Sequence, residues 1–245
     1  MVAKTIKYCS LASLLAIADI SAYAQSPEPG KGFAVIELFT SEGCGSSPAA
    51  EELLPKLETE YGDRLYTLEY HVDYHNDEGW NDEFSNKEFT ARQEKYGSLL
   101  GVKPIYTPQA VVNGTVNVLG FDKKDLSNLV EKELRKADNE PITLSAKKEE
   151  GNIVIDYETK LDENEVLNIA LVQLYGMNEV KAGANAGKKL EHSNIVRELR
   201  VVNTSRGEGR IPLPQDVDLT NFHIVAYKQN KHNMAISGVN EVPIK

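Results

Sequence analysis

Residues 33–75 constrain the fold of this chain more than any other segment. FAVIELFT (33–40) is a nearly unbroken apolar run of β-formers and reads as a strand covered on both faces. The Gly/Ser-rich turn SEGCGSS follows it. In PAAEELLPKLETEYG (48–62), Ala50, Leu53, Leu54 and Leu57 recur at helical spacing. Ser47 is the expected helix cap, Pro48 the first helical residue, and Pro55 an expected kink. LYTLEYHVDYH (65–75) has the Tyr/Leu/Val content of a second strand. A strand, a helix and a strand of these lengths make a βαβ unit, with the two strands parallel and joined by a right-handed crossover.

Downstream, the polar loop NDEGWNDEFSN leads to an amphipathic helix over 87–101, with Phe89, Tyr96, Leu99 and Leu100 on one side. AVV and TVNVL flank Asn113-Gly114, a type I′ hairpin signal. A helix over 123–137 shows Leu126, Leu129, Val130 and Leu134 as its apolar face. From residue 141 the pattern changes to strand-like runs alone: ITLSAKK, NIVIDYETK, VLNIALVQLY, IVRELRVV, FHIVAYKQN and MAISGVNEV. The expected organisation is an α/β domain over 33–139, then a β-rich, sandwich-like domain over 140–245.

The first 24 residues have a separate meaning. Lys4 and Lys7 precede a short, mostly apolar run, and Ala22-Tyr23-Ala24 forms a small-residue cleavage pattern. That layout is a secretory signal peptide, followed by a flexible lead-in at 25–32. The run is too short for a membrane span and is interrupted by Asp19. An exported protein, periplasmic or secreted and without stable membrane insertion, is expected. With 27 Lys+Arg against 37 Asp+Glu, the chain lacks the cationic excess that a nucleic-acid partner requires. Of the two cysteines, Cys9 leaves with the signal peptide, so Cys44 remains alone and has no internal disulfide partner.

Cys44 falls between a buried strand and a helix start, where backbone N–H groups favour the reactive thiolate. IELFTSEGCGSSPAAEELL and HVDYHNDEGWNDEFSNKEFTARQEKYGSLLGVKPIYTPQAVVNG together resemble a bacterial family of secreted, thioredoxin-like proteins of unknown function. GANAGKKLEHSNIVRELR is similar to a downstream segment of the same family. The resemblance implies a thioredoxin-like domain followed by the β-rich domain. Members often carry Cys-x-x-Cys, whereas this chain has Cys44-Gly45-Ser46-Ser47. Ser47 thus stands where a resolving thiol would be, and turnover through an intramolecular disulfide is excluded. Ser47 is expected to cap the helix and to hydrogen-bond the Cys44 sulfur. The resemblance further implies a cis Pro108 against the cysteine, with the Thr107 backbone as a contact for extended peptide.

His71, Asp73 and His75 would share one face if the second strand continued to residue 75. That arrangement would make His71 or Asp73 a proton handler near Cys44, or the trio a metal site, set against plain loop-ordering hydrogen bonds. Trp80 could line a substrate groove or pin its loop. His192 and Arg197 lie in the resembling downstream segment without an assignable role. The leading expectation is a monothiol redox or mixed-disulfide protein acting on a protein or small-molecule thiol or disulfide, with no cofactor. The alternatives are a non-catalytic envelope binding module and a metal-binding or delivery protein.

Overall fold

The computed structural model describes residues 32–76, 79–136, 141–213 and 217–245. The expected signal peptide, Cys9, nearly all of the lead-in, and Asn139 and Glu140 at the expected domain boundary lie outside those residues.

Strand β1 (Ala34–Thr40) is buried along its whole length and pairs in parallel with β2 (Leu65–His71), from Ala34↔Leu65 to Thr40↔His71. The connection is not one kinked helix but two, α1 (Ser47–Glu51) and α2 (Leu54–Tyr61). Pro55 lies in the first turn of α2, where its missing N–H removes no helical bond, so it begins a helix rather than bending one. The second strand is also shorter than expected. It stops at His71, and the chain turns at Asp73–Asn76, with the Asn76 N–H donating to the Asp73 carbonyl.

Helix α3 (Lys87–Leu100) starts at Asn86, whose side chain accepts the Glu88 N–H, and ends at left-handed Gly101. Phe89 and Tyr96 enter the core as expected, but Leu99 is 44% exposed and Gln93 is buried instead. Arg92 from the same helix bonds Glu37 of β1 through Nε at 2.7 Å and lies over the rings of Tyr70, Tyr96 and Tyr227. Strands β3 (Gln109–Val112) and β4 (Val116–Leu119) form the hairpin, with φ of 44° at Asn113 and 70° at Gly114. A Cβ on Gly114 would sit 1.9 Å from the Met234 carbonyl oxygen, so this turn requires glycine twice over. Helix α4 (Lys123–Leu134) then packs Leu126, Val130 and Leu134 against β1 and β3.

The remaining strands are β5 (Thr143–Glu149), β6 (Asn152–Glu158), β7 (Glu165–Glu179), β8 (Lys189–Val202), β9 (Arg206–Pro212), β10 (Phe222–Asn230) and β11 (Ile236–Pro243). They do not build a separate sandwich. Four of them extend the first sheet, giving one mixed eight-stranded sheet in the order β11-β10-β7-β8-β2-β1-β3-β4. The junction is the parallel contact of β2 with β8, at Glu69↔Ile195. Without β8, β2 would present an unpaired edge, so the sheet continues across the expected boundary.

A second, antiparallel sheet, β5-β6-β9, packs on the large one through Leu144, Ile153, Ile155 and Ile211 against Ile169, Leu171 and Ile224. On the opposite face of the large sheet, Phe89 and Tyr96 of α3 pack with Tyr70, Val172, Val196 and Tyr227, side chains drawn from both halves of the chain. Among the described residues no helix is long and apolar enough to cross a membrane.

Candidate functional site

Cys44 sits in the turn after β1, at the carboxyl ends of the parallel strands, with 9% of its surface exposed. Its N–H donates to the Ser41 carbonyl at 3.0 Å, which closes the turn. Sγ lies 3.3 Å from the hydroxyl of Ser46 and 3.6 Å from the backbone oxygen of Thr107. The Thr107–Pro108 bond is cis, and so is Lys103–Pro104. Burial pushes the Cys44 thiol up, but hydrogen bonds from the Ser46, Thr107 and Ser47 side chains outweigh it, and the net shift is downward.

The cap of α1 is Ser46 rather than Ser47, and Ser46 makes no side-chain capping bond. Ser47 is the first helical residue, fully buried, and its hydroxyl accepts the Ser41 N–H at 3.4 Å. Ser46 is the nearer partner of the sulfur, because its exposed side chain is free to rotate toward it while Ser47 faces inward.

The three residues expected on one face diverge, because β2 ends before the last two. Asp73 bonds Thr90 of α3, its backbone N–H reaching the Thr90 hydroxyl at 3.1 Å. His75 turns toward the thiol, with Nε2 2.8 Å from the Thr107 hydroxyl and its Cβ packed against Gly43. A side chain at Gly43 would meet that Cβ at 2.9 Å. His71 instead points into the interior under α1, and neither Asp73 nor His75 joins it. Trp80 pins its loop: its indole N–H donates to Glu42 Oε2 at 2.7 Å.

Beneath the cysteine turn lies a cluster of buried ionisable groups that no local sequence pattern announces. His71 Nδ1 is 2.7 Å from Asp82 Oδ2. His192 of β8 places Nε2 2.9 Å from Glu42 Oε1 and Nδ1 3.2 Å from Glu51 Oε2. The two imidazoles meet edge to face at 4.9 Å, and the Phe84 ring covers both. Burial depresses the His192 imidazole, but its bonds to Glu42 and Glu51 prevail and raise it to about 9. Burial would raise Asp82, yet the charge of His71 holds it down at about 2. Glu69 is pushed up to about 7 by burial.

This cluster is wired to the cysteine turn. Asp82 accepts the Glu42 N–H at 2.9 Å. Asn185, on the turn before β8, donates from Nδ2 to the backbone oxygens of Glu42 at 2.8 Å and of Cys44 at 2.9 Å. The β-rich half therefore holds the thiol turn in place. The roles of Glu42, Glu51, Asp82, Asn185 and His192 are not legible locally, since each takes its meaning from a partner distant in the chain, and His192 stood in the sequence without an assignable role.

The protein is thus a mixed α/β protein with a thiol at a strand-to-helix turn, backed by a buried network of carboxylates and imidazoles. The chain belongs to the family described as "Protein of unknown function (DUF1223)", which matches residues 35–229. It is similar in structure to a structural-genomics target from Agrobacterium tumefaciens, with 27% identity and a TM-score of 0.66, over 89% of this chain and 96% of that one. It also shares its fold with HBP35 of Porphyromonas gingivalis, at 16% identity and a TM-score of 0.61, over 88% of this chain and 76% of that one. No curated protein matches the sequence.

Proposed function

We propose that this is an exported, thioredoxin-like protein that forms mixed disulfides through Cys44 and relies on an external thiol to release them. The observation that carries this reading is the sulfur's setting: hydroxyls on one side, the cis Thr107–Pro108 turn on the other, and a thiol pKa held down. The order β2-β1-β3-β4, with α1, α2 and α4 on one face and α3 on the other, supports the thioredoxin-like assignment. Export rests on the pattern of the first 24 residues.

The Cys44 thiolate attacks one sulfur of a substrate disulfide. A Cys44–substrate S–S bond forms, the substrate S–S bond breaks, and the other substrate sulfur leaves as a thiolate and takes a proton from water. Ser47 offers no second thiol, so a thiolate from another molecule must attack the substrate sulfur of the adduct. The Cys44–substrate S–S bond breaks, Cys44 leaves as a thiolate, and the external thiol and substrate are left joined as a disulfide. Thr107, beside Pro108, presents its backbone to an extended segment of the substrate.

Non-reducing electrophoresis of the protein from its native compartment tests this directly. Adducts heavier than the chain are expected; they should collapse with reductant and be absent from Cys44→Ser. Loss of every adduct in wild type would overturn the proposal, and intact partner capture by Cys44→Ser would favour a non-catalytic binding module.

A further inference from the structure

We propose that Glu51, His71 and His192 form a buried binding site for one divalent transition-metal ion of the zinc class, distinct from the thiol. One ligand atom from each of the three lies within 4.8 Å of the others. Each comes from a different element: Glu51 from α1, His71 from the end of β2, and His192 from β8. All three side chains are at most 2% exposed.

The hydrogen bonds set the imidazoles as metal ligands. A ligating histidine ordinarily donates its outer ring N–H to a carboxylate, which fixes the tautomer and aims the other nitrogen at the metal. Here both outer nitrogens are bound in that way, His71 Nδ1 to Asp82 and His192 Nε2 to Glu42. Of the inner nitrogens, His71 Nε2 makes no directed hydrogen bond among the described residues, and His192 Nδ1 is met by Glu51 Oε2 at 3.2 Å, itself one of the three proposed ligands. Both face the centre of the cluster, where Glu51 supplies a carboxylate and Glu69 Oε2 lies 3.9 Å from His71 Nε2.

Charge and donor chemistry agree with this assignment. Glu42, Glu51, Glu69 and Asp82 are all buried around only two imidazoles, so the cluster holds more acidic than basic groups in a place where a buried charge is costly unless paired. Two imidazole nitrogens with carboxylate oxygen suit zinc and its first-row neighbours rather than calcium or magnesium. Ligand atoms of a tetrahedral zinc ion lie roughly 3.3 Å apart, a spacing that His192 Nδ1 and Glu51 Oε2 already have, so binding draws in chiefly His71. A surface depression walled by Pro48, Glu51, Glu52, Lys189, Leu190 and Glu191 lies between α1 and β8, with Glu51 on its wall. The bound ion would tie α1, β2 and β8 together beneath the cysteine turn.

The test uses the full chain, purified without a polyhistidine tag, stripped with chelator and titrated with Zn²⁺. Saturation at one ion per chain is expected, with the same stoichiometry in Cys44→Ser. Titration with Co²⁺ should give a visible spectrum of nitrogen and oxygen ligands without a sulfur charge-transfer band. Asp82→Asn and Glu42→Gln, which keep all three ligands, should each weaken binding about 10–100-fold. His192→Gln should weaken it further. No bound ion in wild type, a sulfur band, or undiminished affinity in a folded His192→Gln would overturn the proposal. Should His192→Gln fail to fold, the wild-type stoichiometry and Co²⁺ spectrum decide alone.

Discussion

At Cys44, the groups that favour the thiolate are hydroxyls more than the helix that follows. Helix α1 has five residues, too few to supply much of a dipole, whereas Ser46, Thr107 and Ser47 all favour the thiolate. Thiolate therefore persists below the usual thiol midpoint, and reactivity disappears only as pH falls through the lowered value. The alkylation rate of Cys44 followed against pH should accordingly show a midpoint below about 8.5. Replacing Ser46 by alanine should move that midpoint upward by about one unit, since a hydrogen bond to a charged group is worth roughly 1.5 kcal/mol. A wild-type midpoint at or above the ordinary value would contradict the assignment. The position of Cys44 was legible in the sequence because a strand, a Gly/Ser turn and a Pro-started helix are local signals. Which serine meets the sulfur was not, because that depends on how the turn rotates the two side chains.

Among the elements, α3 shows where periodicity succeeds and where it fails. Its caps, Asn86 and Gly101, and its buried Phe89 and Tyr96 follow from local pattern. Its strongest anchor does not, since Arg92 reads as a surface residue until Glu37 and three tyrosines surround it. Removing one member of a buried ion pair leaves the other charge without compensation, at a cost of about 3–5 kcal/mol. Arg92→Ala should therefore lower the urea midpoint strongly, while Arg92→Ala with Glu37→Gln should recover part of the loss. The break between α1 and α2 has a similar origin. Pro55 marks it in the sequence, but its choice of starting a helix over kinking one is settled by packing, with Leu53, Leu54 and Leu57 all buried against the sheet.

For the whole molecule, the change of sequence pattern near residue 140 does not coincide with a break in the large sheet. The helices do end there, yet the sheet does not, because β8 covers β2 and the core beneath α3 draws on Val172, Val196 and Tyr227 as well as Phe39 and Tyr70. Residues 32–136 alone should consequently fail to fold, showing neither fixed near-ultraviolet signal nor a sharp urea transition. The full chain should unfold in one transition that coincides by fluorescence and circular dichroism. A cooperative, folded fragment would show that the two halves stand independently.

The β2–β8 junction also sets a timetable. Ser193, which bonds Glu69 at this junction, follows it by 124 residues in the chain. The first half is therefore complete long before the strand that covers its edge exists, and until then β2 is open to any other strand it meets. So distant a pairing must be reached through a costly loop closure, which makes this a slow step in folding. The chain is most exposed to misassembly in the interval between making β2 and making β8.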